Sequence, residues 1–472
     1  MIFTSYQFAI FFLLALVSYW AIGTTRLRHI FLLIASFWFY AAWDWRFLAL
    51  LAAVIMVAWA GPKLFDRYPD RKKLILTLSI VALLCLLGTF KYFNFFTDSF
   101  VDILNVIGFN AAYSTLNIIL PVGISFYIFQ AVSYLVDAYR EEISRQTDFL
   151  KVALYISFFP QLVAGPIVRA HDFIPQLEEK KRFSEYDFLT GLKLFVIGLI
   201  YKAVFADHLA GYVDPVFADL AGYDNASIRA ATFAFYGQIY FDFAGYSTMA
   251  IGCARMLGFA LPRNFDFPYA SRDIADFWRR WHISLSGWLR DYVYIPMGGN
   301  RGSKLQTNQN LMKTMLLGGL WHGASWNFVL WGFLHGAALI VHRLWDQSFS
   351  SGNSKAGKWR VWGIAFAAWL LTQAFVAACW VPFRAENAAD TQLVFNALLA
   401  LRNDSGLASL EIPLVLLVMP LLVDTFIISG ASGRLKSIRY GRLITYALIG
   451  TALAIAVAAM KLDASPFIYF QF

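Results

Sequence analysis

The stretch LGGLWHGASWNFVLWGFLHGAALIVHRLW, residues 317–345, places ionisable rings among apolar and small residues. His322 stands five positions before Asn327 and thirteen before His335. A histidine has a pKa of about 6.5, so it can take a proton from a hydroxyl near neutral pH. On position alone His322 reads either as such a group or as a core histidine bonded to a backbone carbonyl. On one straight helix His322 and His335 would lie about 220° apart, whereas His335 and His342 would share a face. The glycine pairs 319/323 and 332/336 read as close helix packing, and they also fit a break that lines a cavity.

Three further stretches carry chemistry. In DIADFWRRWHISLSGWLRDYVYIPMGGNRG, residues 273–302, Phe277, Trp281, Leu285, Trp288 and Tyr292 form one helical stripe. His282 stands with Trp278, Leu285 and Leu289 on an apolar flank, and Arg279 and Arg280 could meet phosphates. This helix is either an interfacial anchor or the cytoplasm-facing wall of a site. PMGGNRG lacks the spacing and the Lys-Ser/Thr ending of a phosphate loop. FFPQLVAGPIVR, residues 158–169, has two prolines and a glycine, so the expectation is a re-entrant segment rather than a straight span. The end of the sequence, SPFIYFQF, puts Phe467, Tyr469, Phe470 and Phe472 where chains are usually polar and frayed.

The elements that position these residues must be membrane helices. The 472 residues are 59% hydrophobic and 15% charged, with a mean hydropathy of +0.57. Soluble domains carry about 25% charged residues, so a large soluble enzyme is excluded. A hydrocarbon core of about 30 Å needs roughly 20 apolar residues per helix. Candidate spans lie near 7–23, 30–43, 46–64, 74–92, 115–137, 188–206, 228–254, 361–383, 413–430 and 441–461, with broken pieces near 150–168 and 311–345. About 11 crossings are expected.

The first span lacks a basic leader and a cleavage site, and TTRLRH follows it, so it reads as a retained helix with its N-terminus outside. Basic segments at 66–73, 178–183, 263–304 and 433–442 read as cytoplasmic, and the acidic loop 207–224 as outside. That count puts the C-terminus outside and requires 311–345 to break midway or to return to the cytoplasmic side. The net charge of +9 reflects loops facing anionic lipid, not nucleic acid. Cys85, Cys253 and Cys379 are widely spaced, which suggests neither a disulfide framework nor a thiolate metal site, and no metal is expected. The whole chain, 1–472, reads as one membrane-embedded domain.

Five motifs in order resemble one family. They are GISFYIFQAVSYLVDAYR (123–140), FFPQLVAGPIVR (158–169), YFDFAGYSTMAIGCARMLGF (240–259), NFDFPYASRDIADFWRRWHISLSGWLRDYVYIPMGGNRG (264–302) and LWHGASWNFVLWGFLHG (320–336). The sequence is similar to the membrane-bound O-acyltransferases, in the branch of bacterial polysaccharide O-acetylases for alginate, cellulose and peptidoglycan. Thr248 in GYST stands where relatives often carry an acidic residue, which puts a carboxylate role there in doubt.

The resemblance implies an all-α polytopic fold, a ring of about 11 tilted helices around a thinned funnel, with re-entrant and interfacial helices. Core motifs would occupy 119–345, C-terminal helices 361–461 and an extracytoplasmic aromatic tail 465–472. It implies acyl transfer to a hydroxyl, with His322 of the WHG motif central and His282 as the second family histidine. No Gly-x-Ser-x-Gly elbow or plausible nucleophilic cysteine competes for the role. The resemblance also explains the tail. Related systems carry the acyl group across the membrane on a tyrosine of a short aromatic C-terminal motif, here Tyr469. A phenol, with a pKa of about 10 against about 8.5 for a thiol, gives an ester intermediate between a thioester and a sugar ester. The other reading of the tail is an interfacial aromatic anchor.

The donor implied is cytoplasmic acetyl-CoA, with Arg279 and Arg280 near its phosphates. The partner implied is a periplasmic or surface SGNH-type transferase that acetylates a polysaccharide, and the location a bacterial inner membrane. D-alanyl transfer to teichoic acid from a carrier protein is the enzymatic alternative. A transporter or channel with His322 in its pathway is the non-enzymatic one.

Overall fold

A computed structural model describes residues 1–109, 116, 118–163, 165–349, 358–400, 441–460 and 467–468. The described residues are mostly helical and contain no strand. Five helical runs are long and apolar enough to cross a membrane: Thr25–Arg67, Pro69–Val106, Glu185–Ala218, Trp326–Ser348 and Trp362–Arg384. Shorter apolar helices run Tyr6–Ala21 and Ile449–Ala459. These helices leave large apolar side chains outside: Ile10, Leu13, Leu14, Val17, Ile34, Trp38, Leu78, Val341 and Leu371 are all exposed. In water that surface would drive aggregation, whereas in lipid it costs nothing. The protein spans a membrane several times.

Contacts divide the chain into two compact units, Met1–Leu194 with Ala250–Pro262, and Phe195–Met249 with Arg263–Phe472. The first contains α1 (Tyr6–Ala21), α2 (Thr25–Asp44), α3 (Leu48–Arg67), α4 (Lys72–Leu87), α5 (Phe93–Val106), α6 (Ile124–Tyr139), α7 (Phe149–Ser157), α8 (Phe159–Leu162) and α9 (Ala170–Glu178). Helix α6 is buried on nearly every side and packs on α3 and α4. It starts only at Ile124, after Gly123 with φ of +75°, so the span expected from residue 115 is shorter.

The segment 158–169 breaks as its prolines predict. Helix α7 stops at Phe158, and α8 lasts four residues with Pro160 in its first turn. The backbone groups released by the break find partners inside the protein. Phe159 N–H donates to Ser36 Oγ (3.1 Å), and Gln161 Nε2 donates to the Tyr155 carbonyl (2.6 Å).

The second unit carries the histidines. After α10 (Glu185–Ile200) it contains α11 (Asp207–Ala218), α12 (Asn225–Met256), α13 (Ile274–Arg280), α14 (Ile283–Leu289), α15 (Lys304–His322), α16 (Trp326–Phe349), α17 (Lys358–Arg384), α18 (Ala388–Leu399) and α19 (Gly441–Ala459). Two expectations are corrected. Residues 207–218 are helix, not loop, and Asp207 is 2% exposed. Residues 273–302 are not one helix: α13 ends at Arg280, His282 takes φ +42° and ψ +55°, and α14 then begins. The apolar stripe survives the break, because Phe277, Trp281, Leu285 and Trp288 are all buried.

The segment 311–345 is interrupted after His322. Helices α15 and α16 make an antiparallel hairpin, with the turn at Gly323–Ser325. Its glycines serve close packing. A Cβ on Gly319 would collide with the Phe328 carbonyl oxygen, and one on Gly332 with the Met315 carbonyl oxygen. The proposed span 413–430 and Tyr469 lie outside the described residues.

Candidate active site

His322 is the last residue of α15, a helix capped at its start by Ser303, whose Oγ accepts from Gln306 N–H (3.2 Å). The imidazole is 3% exposed. Trp321, Trp331 and Phe383 stand edge-on around it, with centroids at 4.9, 4.9 and 5.1 Å. The hairpin turn is fastened by Asn327, whose Nδ2 donates to the Ala385 carbonyl just past α17 (2.9 Å). His322 therefore sits buried in an aromatic box, where polar interactions gain strength.

His282 is fully buried at the start of α14. A positive φ is rare for a residue with a Cβ and costs roughly 1–2 kcal/mol, so the surroundings must impose it. Asn264 supplies part of that constraint. Its backbone carbonyl accepts from Ile283 N–H (2.9 Å), its Oδ1 accepts from Ser284 Oγ (2.6 Å), and its Nδ2 donates to Ser247 Oγ (3.1 Å). The His282 ring meets Phe243 of α12 at 4.6 Å and Trp321 at 5.5 Å. His282 lies outside the spanning helices. Burial pushes its pKa down to about 3, so the ring is neutral at pH 7.

The structure thus brings His282 and His322 against one tryptophan, Trp321. His335 belongs to the same aromatic cluster. It is fully buried among Phe277, Trp278, Trp331 and Phe375. His342 is directed elsewhere, with Nε2 3.7 Å from Asp273 Oδ1. Arg279 and Arg280 both lean on Asp276. Arg279 is exposed with a long 3.5 Å contact, whereas Arg280 Nε donates at 2.9 Å and its guanidinium also donates to the Asp266 carbonyl. Thr248 turns inward on its own helix, donating to the Ala244 carbonyl (2.6 Å). Among the described residues, no cluster of three or more His, Cys, Asp or Glu is placed to hold a metal ion.

The described part of the tail reaches this same unit. Phe467 is 1% and Ile468 2% exposed. The Phe467 ring lies 4.5 Å from Tyr246 and 5.8 Å from Phe243. Ile468 N–H donates to Asp242 Oδ2 at 2.8 Å.

Comparison with known proteins fits the motifs that place these residues. The membrane-bound O-acyltransferase family profile matches residues 3–378. The chain belongs to the membrane-bound O-acyltransferase family. It is 36% identical, over the whole of both sequences, to a protein of Azotobacter vinelandii named "Probable alginate O-acetylase AlgI". The protein of the same name from Pseudomonas aeruginosa is 40% identical over 82% of this chain and 72% of its own length. A peptidoglycan O-acetyltransferase of Helicobacter pylori is 38% identical over 80% of this chain and 74% of its own. This membrane-bound O-acyltransferase is accordingly an acyl-transferring enzyme.

Sequence reasoning passed over one cluster in this family member. Lys202 Nζ lies 2.8 Å from Asp207 Oδ1 and 2.8 Å from Asp242 Oδ1, with all three side chains 2–3% exposed. The signal was available, since Lys202 in LIYKAVF and Asp242 in YFDFAG are ionisable residues inside apolar runs.

Proposed function

We propose that this enzyme moves an acetyl group from cytoplasmic acetyl-CoA to Tyr469, for O-acetylation of an exported or cell-wall polysaccharide by a partner outside the membrane. Family acyltransferases draw on acyl-CoA or carrier donors, and the alginate and peptidoglycan names of the relatives favour acetyl and a polysaccharide acceptor. In the reaction His322 takes the phenolic proton of Tyr469 as the oxygen attacks the thioester carbonyl carbon. The carbon–sulfur bond then breaks, and the coenzyme A thiolate leaves with the proton returned by His322. His282, neutral and fixed by its backbone, helps hold the reacting groups. Arg279 offers an exposed donor for the phosphates of coenzyme A. An SGNH-type partner then passes the acetyl from the phenyl ester to a sugar hydroxyl, regenerating the phenol. The membrane would be the bacterial inner membrane, with the C-terminus outside.

The observation that carries this reading is the burial of Phe467 and Ile468 beside Phe243, the ring that also touches His282. An interfacial anchor would leave such residues at the rim. The test is mass spectrometry of the purified protein after incubation with labelled acetyl-CoA. Acetyl should appear on the C-terminal peptide and be labile to mild base, as a phenyl ester is. Turnover without any label there would overturn the tyrosyl route. Labelled D-alanine passing from a carrier protein, with no use of acetyl-CoA, would favour the teichoic acid alternative.

A further inference from the structure

Charged side chains inside a membrane protein are expensive, and those retained usually serve function. Lys202 lies in the π-helical turn Tyr201–Ala206, which follows α10 and leads into α11. Its ammonium is shared between Asp207 and Asp242, each at 2.8 Å. One carboxylate would suffice to pair one ammonium. Asp242 uses Oδ1 for Lys202 and turns Oδ2 to the Ile468 N–H at 2.8 Å. Four residues along the same helix, hence on the same face, Tyr246 packs on the Phe467 ring at 4.5 Å. Helix α12 therefore grips two consecutive tail residues in different ways, one through its ring and the other through its backbone. Between these two points Phe243 touches both Phe467 and His282.

We propose that Lys202, Asp207 and Asp242 form a clamp that positions the C-terminal tail for acyl transfer, with Asp242 holding the Ile468 N–H and Lys202 orienting Asp242. A backbone grip suits a tail that must be held in register whatever its side chains carry. The residue after Ile468 is Tyr469. Fixing Ile468 thus limits where the phenol can reach. The proposal rests on Tyr469 as the acyl carrier. Asp242 acts through the tail and is a positioning residue.

Ile468→Pro removes the donor and keeps all three side chains of the ion cluster. Ile468→Ala trims the same side chain but keeps the N–H. In the full-length protein in lipid nanodiscs, Ile468→Pro should acquire labelled acetyl on the C-terminal peptide roughly 10-fold or more slowly than Ile468→Ala, the scale of a hydrogen bond to a charged acceptor. The loss should fall in kcat, with the apparent KM for acetyl-CoA and the Tm near those of Ile468→Ala. With the parent labelled, equal labelling rates of the proline and alanine variants would overturn the clamp. Carboxypeptidase digestion separates the two readings. If the parent takes no acetyl on its tail but Ile468→Pro loses residues 470–472 to the protease faster than Ile468→Ala does, the clamp stands and the tyrosyl route falls. If the parent is labelled and both variants match it in label and protease resistance, the route stands and the clamp falls.

Discussion

The His282 imidazole meets the Phe243 ring edge-on, with centroids 4.6 Å apart and planes at 84°. That contact ties the kinked segment between α13 and α14 to α12, and through Phe243 to the tail residue Phe467 at 5.8 Å. His282 also meets Trp321, which borders His322. One continuous aromatic surface thus joins the two histidines and the described end of the chain.

His322→Ala should abolish acetyl-CoA turnover by the purified protein and leave its Tm near that of the parent. Loss of a base costs about 10²–10⁴-fold. The aromatic box would lose one ring of its lining, a modest cavity for a protein of this size. A variant that keeps half of the parent turnover would remove His322 from the reaction.

His282 separates chemistry from backbone strain. His282→Ala and His282→Gly both remove the imidazole, so both should lose turnover. Glycine accepts φ of +42° without the Cβ penalty, so the Gly variant should be the more stable by about 1 kcal/mol. Thermal unfolding in detergent, compared at matched lipid content, measures the difference. A more stable alanine variant would mean that the kink is not held against a steric preference.

Gly332→Val tests the hairpin. The added side chain meets the Met315 carbonyl and the Leu316 backbone, neither of which can rotate away. Overpacking of this kind costs typically 1–3 kcal/mol. Both Tm and turnover should fall together, in contrast to His322→Ala. An unchanged Tm would mean that the two helices separate without cost in lipid.

Much of this was legible in the sequence because it is written in local runs. The apolar spans, the break at Pro160 and the break at Gly323 each follow from residues adjacent in the chain. His322 was visible because one ionisable ring interrupts a long apolar stretch. The kink at His282 was not, because periodicity reports which residues are apolar and says nothing of φ. Phe277, Trp281, Leu285 and Trp288 are buried on both sides of the kink, so their spacing looked continuous. The Lys202–Asp207–Asp242 cluster failed for another reason. Asp207 read as the edge of an acidic loop, and its meeting with Asp242 at Lys202 joins residues far apart in the chain, which no local pattern encodes.

Arg279→Gln should raise the apparent KM for acetyl-CoA and leave Tm unchanged, since the side chain is exposed and makes only a long contact to Asp276. The effect should be larger at low ionic strength, where screening of a phosphate contact is weakest. Arg280→Gln should instead lower stability, because it removes the bond to Asp276 and the donation to the Asp266 carbonyl. Equal KM values for parent and Arg279→Gln at low salt would place the phosphates of the donor elsewhere.

Tyr469→Phe removes one oxygen and keeps the aromatic bulk. Phe467 and Ile468 before it are buried by contacts to Tyr246 and Asp242 that the substitution does not touch. Expression and Tm should therefore match the parent, and the tail should stay as resistant to carboxypeptidase. If the tail only anchors the chain, phenylalanine serves as well, and polymer acetylation in cells continues. If the tail carries the acyl group, no hydroxyl remains to accept it, and both polymer acetylation and the C-terminal label vanish. His322→Ala should lose the same label with the phenol still in place, which separates the acceptor from the base. Normal polymer acetylation by Tyr469→Phe would return the tail to anchoring and require another acceptor beside His322.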